Sequence, residues 1–171
     1  MAVNRTEFIL FYEANYRRVY NYISYRINNR SDVEDLVSQV FTKALMHCAS
    51  YDDSKGTPEM WIIGIARNAI TDHFRRSAIR STTDIDSIAQ QSSTDMKPDE
   101  LLIQKEERAQ LLSALDTLSD RERQVIALKY GADMSNRQIA KLMDLTLSNI
   151  GVILFRSLRK LRKRLEREVH G

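Results

Sequence analysis

The chain has 171 residues, 26 Lys and Arg against 23 Asp and Glu, and a formal net charge of +3. That length suits one or two small domains, and the near balance of charge does not by itself mark a nucleic-acid partner. A lone cysteine, Cys48, excludes an intramolecular disulfide. No apolar stretch approaches the length of a membrane span, and no apolar run preceded by basic residues opens the chain. A cytoplasmic protein without a signal peptide is therefore expected. Gly and Pro are scarce, at 5 and 2, and alternating β-branched runs are absent, so a mostly helical chain is expected.

The first block, residues 1–79, reads as three helices. Phe8, Tyr12, Tyr16, Val19, Ile23 and Ile27 recur at helical spacing on one face. Ser31-Asp32-Val33-Glu34 has the form of a capping box, in which serine and glutamate each satisfy an orphan amide. It precedes an apolar stripe of Val33, Leu36, Val37, Val40, Phe41, Ala44 and Leu45. After the polar loop from Ser50 to Gly56, Thr57 is a suitable N-cap, and Pro58 suits the first helical position because its missing amide costs nothing there. The third helix carries Trp61, Ile65, Ala66, Ala69, Ile70 and Phe74 and is expected to end at Arg75-Arg76.

Residues 80–101 are rich in Ser, Thr, Asp and Gln, contain Lys97-Pro98 and show no helical stripe, so they read as a flexible linker. Such a segment reaches about 70 Å when extended and roughly 26 Å when relaxed. Acids exceed bases from Ala78 to Gln110, and the positive excess collects at Arg156, Arg159, Lys160, Arg162, Lys163, Arg164 and Arg167.

The last block, residues 102–171, is punctuated by helix signals. Leu111, Leu112, Leu115 and Leu118 share one helix. Ser119-Asp120-Arg121-Glu122 is a capping box before Val125, Ile126 and Leu128, and Ser135-Asn136-Arg137-Gln138 is another before Ile139-Ala140. Asp144 falls where a left-handed residue is needed, and Thr146 can cap a final helix striped by Ile150, Leu154, Leu158, Leu161 and Leu165. A short helix, a tight turn and a second helix with a basic end form a helix-turn-helix pattern. A plain helical hairpin with a solvated basic face is the alternative.

Asp32-x-Glu34-Asp35-Leu36-Val37-x-Gln39-x-Phe41, followed by Trp61-Ile62-x-x-Ile65-Ala66-Arg67-Asn68-x-x-x-Asp72-x-x-Arg75-Arg76, resembles region 2 of the bacterial extracytoplasmic-function (ECF) sigma factors. Leu115-x-x-Leu118-x-x-Arg121-x-Arg123-x-Val125, with the helix-turn-helix to Leu161, resembles their region 4. The order of the two blocks around a polar joint covers nearly the whole chain. The resemblance implies an all-α protein of two small helical domains, and a transcription initiation factor that is not itself an enzyme. Its partners would be core RNA polymerase, through the β′ coiled coil and the β flap, promoter DNA, and commonly an anti-sigma factor. No cofactor and no small-molecule substrate are implied.

Residue by residue, the resemblance implies that Asp32, Glu34, Asp35 and Gln39 dock on polymerase. Helix-dipole compensation competes as an explanation for Asp32 and Glu34. Asn68, Asp72, Arg75 and Arg76, with Tyr51 in the preceding loop, would hold unpaired bases of the −10 element. For Asp72 an ion pair with Arg75 or Arg76 is the competing role, and Trp61 is expected to pack in the core. In the last block Arg137, Ser148, Asn149, Val152, Phe155, Arg156, Arg159 and Lys160 would meet the −35 element. Val152 is suited to a thymine methyl, and Arg159 and Lys160 to phosphates. Gly151, Val152 and Ile153 depart from the family pattern, which carries basic or polar residues there, so the family's contacts at these positions are not carried over and Val152 is named for its own apolar side chain. His47, Cys48 and His73 lack metal-ligand spacing, so no metal site is expected. A stand-alone helix-turn-helix regulator with an N-terminal sensing domain would share the last block, but it would need no polymerase and would usually dimerise.

Overall fold

The computed structural model describes residues 4–83 and 98–171, without the side chains of 82–83 and 98–104, and divides into two compact units. Among the described residues every regular element is helical. The first unit holds α1 (Arg5–Arg26), α2 (Arg30–His47), a short 3₁₀ turn (Cys48–Ser50) and α3 (Pro58–Thr83). The second holds α4 (Pro98–Leu115), α5 (Asp120–Ile126) running into a π-helical turn (Ala127–Gly131), α6 (Asn136–Met143) and α7 (Leu147–Val169).

In the first unit each helix packs on the other two. The core joins Val19, Tyr22, Ile23 and Ile27 to Val33, Leu36, Val37, Val40 and Ala44, and to Ile62, Ile63, Ala66, Ala69 and Ile70. Tyr12 and Tyr16, expected to pack, sit half out of this core, with the Tyr12 ring 4.6 Å from that of Phe41. Helix α2 starts earlier than the Ser31 capping box predicts. Its N-cap is Asn29, whose side chain accepts from the Asp32 amide, so Ser31 lies inside the helix. At α3 the expected start holds: Thr57 Oγ1 accepts from the Met60 amide ahead of Pro58. This helix does not stop at Arg76 but continues through Thr83. Residues 80–83 and 98–101 of the expected linker are therefore helical, and 84–97 lie outside the described residues.

The buried face of α3 is also rotated from the predicted one. Ile62 and Ile63 are fully buried, while Trp61 and Ile65 flank the core half-exposed. The i, i+4 pair of Trp61 and Ile65 is an apolar stripe, but adjacent isoleucines at the next positions point more squarely at α1 and α2.

In the second unit α7 packs on α4, α5 and α6. The core comprises Ala114, Leu115, Val125, Ile126, Leu128, Ile139, Ala140, Ile150 and Leu154, among others. Both capping boxes are formed, with reciprocal bonds between Ser119 and Glu122 and between Ser135 and Gln138. Asp144 takes the left-handed conformation, φ 55 and ψ 46, and Thr146 Oγ1 accepts from the Asn149 amide to start α7. Helices α6 and α7 bend through 107° at this turn, within the ~90–120° of helix-turn-helix units. The leucine stripe of α7 is only half used: Ile150 and Leu154 are buried, then Ser157, whereas Leu158 and Leu165 are exposed. No single helix among the described residues is long and apolar enough to cross a membrane.

Candidate functional site

Two surfaces gather the residues singled out by sequence, one in each unit. In the first unit a groove between α2 and α3 is lined by Asp32, Asp35, Gln39, His73, Arg76 and Arg80, with buried Leu36 at its base. Asp32, Leu36 and Gln39 recur at i, i+4 and i+7, which puts them on one side of α2. His73 and Arg80 recur at i and i+7 on α3. The Asp32 carboxylate lies 3.8 Å from His73 Nε2. One wall is thus acidic and amide-bearing, and the opposite wall is basic.

This grouping differs from the sequence assignment in two respects. Glu34 does not join it: it pairs with Arg30 at 3.5 Å and stands near Tyr16, whose hydroxyl is pushed up first by burial and then by neighbouring charges that include Glu34. Arg76, assigned with the −10 set, lines the same groove as Asp35 and Gln39. His73 and Arg80 were missed. Their signal was the spacing of basic residues on α3, which is legible only once its true length and buried face are known.

Asn68, Asp72 and Arg75 of the −10 set form a stripe along α3 together with Trp61. Trp61, Asn68, Asp72 and Arg75 fall within a narrow arc of the helix, facing away from Ile63 and Ile70. Asn68 is exposed, and Asp72 pairs with Arg75 at 3.9 Å, the competing role considered for it. At the head of the stripe the Tyr51 ring lies 5.6 Å from that of Trp61, and the Tyr51 hydroxyl donates to the Gly56 carbonyl. Trp61 also meets Phe11 at 6.1 Å, so it is an aromatic shelf at the edge of the core rather than a buried core residue.

In the second unit Arg137, Ser148, Asn149, Val152, Phe155, Arg156, Arg159 and Lys160 are all exposed. Ser148, Val152, Phe155, Arg156 and Arg159 lie on the side of α7 opposite Ile150, Leu154 and Ser157. Lys160 is set apart. Its ammonium donates to both carboxylate oxygens of Glu122, at 2.8 and 2.9 Å, and ties α7 to the start of α5. Arg164 donates to Ser113 Oγ at 3.1 Å and ties α7 to α4 in the same way. Neither bond has a local sequence signal, since the partners are 38 and 51 residues apart.

The Lys160 hydrogen bond holds the Glu122 carboxyl below its ordinary value of 4.5, with burial opposing and the Ser119 amide helping. A carboxylate whose pKa is depressed by folding stabilises the fold above its unfolded pKa, and that contribution is lost as pH falls through the folded one. Thermal midpoints of the full chain are therefore expected to drop on acidification below about pH 4.5, and Glu122→Gln should flatten part of that dependence. Melts followed by circular dichroism at graded pH check this, and an unchanged acid slope in the variant would remove the pair from the account.

Comparison with known proteins bears on both surfaces. The family model for Sigma-70 region 2 matches residues 11–79, and that for Sigma-70 region 4 matches residues 114–163, between them more than half of the chain. The ECF RNA polymerase sigma factor SigX of Bacillus subtilis is 28% identical over 166 residues, covering 93% of this chain and 84% of SigX. The ECF RNA polymerase sigma factor BldN of Streptomyces coelicolor is 26% identical over 147 residues, covering 86% of this chain, which spans only 56% of BldN. In fold, the chain is similar to the sigma factor RpoE in its co-crystal structure with the anti-sigma factor NepR from Bartonella quintana. The TM-score is 0.69 at 19% identity, over 95% of this chain and 96% of that one.

Proposed function

The chain belongs to the ECF sigma factors of the sigma-70 family, and from that premise we propose that it binds core RNA polymerase and directs it to specific promoters. The observation that carries this is the presence, in one chain and in this order, of a region 2 unit with a two-walled groove and a region 4 unit with a helix-turn-helix. The α2 wall, Asp32, Asp35 and Gln39, docks on the β′ coiled coil, and Glu34 contributes from outside the groove. The region 4 unit meets the β flap and reads the −35 element. The protein works in the cytoplasm, catalyses no reaction itself, and is held inactive by an anti-sigma factor, as RpoE is bound by NepR.

The α3 stripe opens the −10 element. Asn68 offers both a donor and an acceptor to a base edge, Tyr51 and Trp61 offer faces for stacking, and Arg75 and Arg76 neutralise phosphate. Because Arg76 also lines the α2 groove, it should separate from Asn68 experimentally. Asn68→Ala is expected to lower permanganate reactivity of −10 thymines by up to about tenfold, the worth of one good hydrogen bond, with polymerase affinity unchanged. Arg76→Ala should lower both. If Asn68→Ala leaves thymine reactivity intact, the stripe does not capture bases.

A gel shift on promoter fragments with and without core polymerase tests the proposal as a whole. A specific complex is expected only when polymerase is present. A specific complex of the chain alone would mark a stand-alone regulator.

A further inference from the structure

Helix α7 begins with a surface that folding does not account for. Val152 is 46% exposed and Phe155 68% exposed, one and two turns into the helix on its outward side. Gly151 lies beside them, and a Cβ built there would meet nothing within 4 Å. Glycine is the least favourable helix residue after proline, so an internal packing need would have to justify it, and none exists. What the missing side chain leaves open is bare backbone on the solvent side. Past Ser148 and Asn149 the exposed surface of this helix is thus apolar over Gly151, Val152 and Phe155, and further along stand exposed Arg156, Arg159 and Lys163.

The surrounding charge selects the occupant. An apolar protein groove seated over Val152 and Phe155 would have to accommodate these cations and exposed Arg137 of α6. Duplex DNA supplies phosphates for them, and its major groove carries one apolar group, the C5-methyl of thymine. In helix-turn-helix proteins the N-terminal part of the second helix faces base edges. Here that part lacks the polar side chains that would read guanine or adenine at positions 151 to 153.

Resting on the function proposed above, we propose that Gly151, Val152 and Phe155 form an apolar reading strip for thymine methyl groups of the −35 element. Gly151 admits the helix backbone close to the base edges, and Val152 and Phe155 cover the methyls. Ser148, Asn149 and Arg156 supply the polar contacts at the margins. The chain therefore prefers −35 elements with thymines on the strand beneath this strip, and discriminates them from cytosine by a methyl rather than by a hydrogen bond.

The test uses a promoter fragment recovered by run-off transcription with core polymerase and the full chain. It is remade with deoxyuridine in place of thymidine within the −35 element, on one strand and then the other. Deoxyuridine keeps the pairing and removes only the methyl. Wild-type holoenzyme is expected to bind about fourfold more weakly for each contacted methyl removed. The double variant Val152→Ala, Phe155→Ala should bind the thymidine duplex more weakly and lose its sensitivity to deoxyuridine. Gly151→Ala should melt at the same or a higher temperature yet bind the promoter more weakly, an opposition that no packing role produces. Indifference of the wild type to deoxyuridine on both strands, or an equal deoxyuridine loss in the double variant, overturns the strip. A chain that directs polymerase to no fragment at all instead overturns the function on which the strip rests.

Discussion

Replacing Asp35 and Gln39 together with alanine is expected to weaken core polymerase binding by about ten- to a hundredfold. Truncating an interface residue that matters costs ~1–2 kcal/mol or more, and each ~1.4 kcal/mol is tenfold in affinity. Asp35 is exposed and Gln39 half-exposed, and both line the groove wall offered by α2. Neither contributes to the core of the unit, which runs through Leu36, Val37 and Val40 on the buried side of the same helix. The fold should therefore survive, with native helicity and a nearly unchanged melting temperature. Binding of labelled chain to core polymerase, followed by fluorescence anisotropy, measures the loss. Unchanged affinity in a natively helical variant would mean that the α2 wall is not the docking face.

Ile150→Ala is expected to cost the second unit about 2–5 kcal/mol, the range for removing a large aliphatic side chain from a core that cannot collapse around the cavity. Ile150 is fully buried in the first turn of α7, and Ile139 and Ala140 of α6 are buried on the helix against which α7 packs. A loss of that size is a large share of the 5–15 kcal/mol typical of a whole domain. In the proposed reading of the −35 element the α6–α7 turn sets the angle at which α7 meets DNA, so promoter-specific binding should fail while polymerase binding through the first unit persists. Denaturant unfolding with and without the substitution reads the stability change. A shift under about 1 kcal/mol would place Ile150 outside a packed core.

Much of the second unit was legible because its signals are local. Ser119 and Glu122, Ser135 and Gln138, Asp144 and Thr146 each act within a turn of helix, so their chemistry fixes helix ends without reference to the rest of the fold. Where two local signals compete, sequence does not choose between them. Asn29 and Ser31 can both cap α2, and the choice of Asn29 moves the start and places Ser31 inside the helix. Apolar periodicity was less informative on long helices. On α7 the leucines continue past the neighbours that would bury them, so Leu158 and Leu165 face solvent while Ser157 is buried and donates to the Ile153 carbonyl. On α3 the pattern carried two overlapping stripes, and only contact with α1 and α2 selects Ile62 and Ile63 over Trp61 and Ile65.

The candidate surfaces follow the same division. The residue types of the α2 wall and of the α7 face were readable one by one, because each sits on a helix whose exposed side is set by periodicity. Their company was not. That Arg76 and His73 share a groove with Asp32 and Asp35 depends on how α2 and α3 cross, and the Lys160–Glu122 pair depends on the path of the chain from α5 through the π-helical turn and α6 to α7. Lys160 consequently has a place in the fold as well as in any contact with phosphate, whereas Arg159, exposed on the outward side of α7, is the better probe of salt-dependent DNA binding.

Run-off transcription on genomic promoter fragments tests the central claim most directly. The chain and core RNA polymerase together are predicted to produce transcripts with defined starts from a subset of fragments. Core polymerase alone, and core polymerase with the Asp35→Ala, Gln39→Ala variant at limiting concentration, should produce few or none. Specific transcripts that do not depend on adding the chain, or sequence-specific binding by the chain without any effect on initiation, would contradict the account.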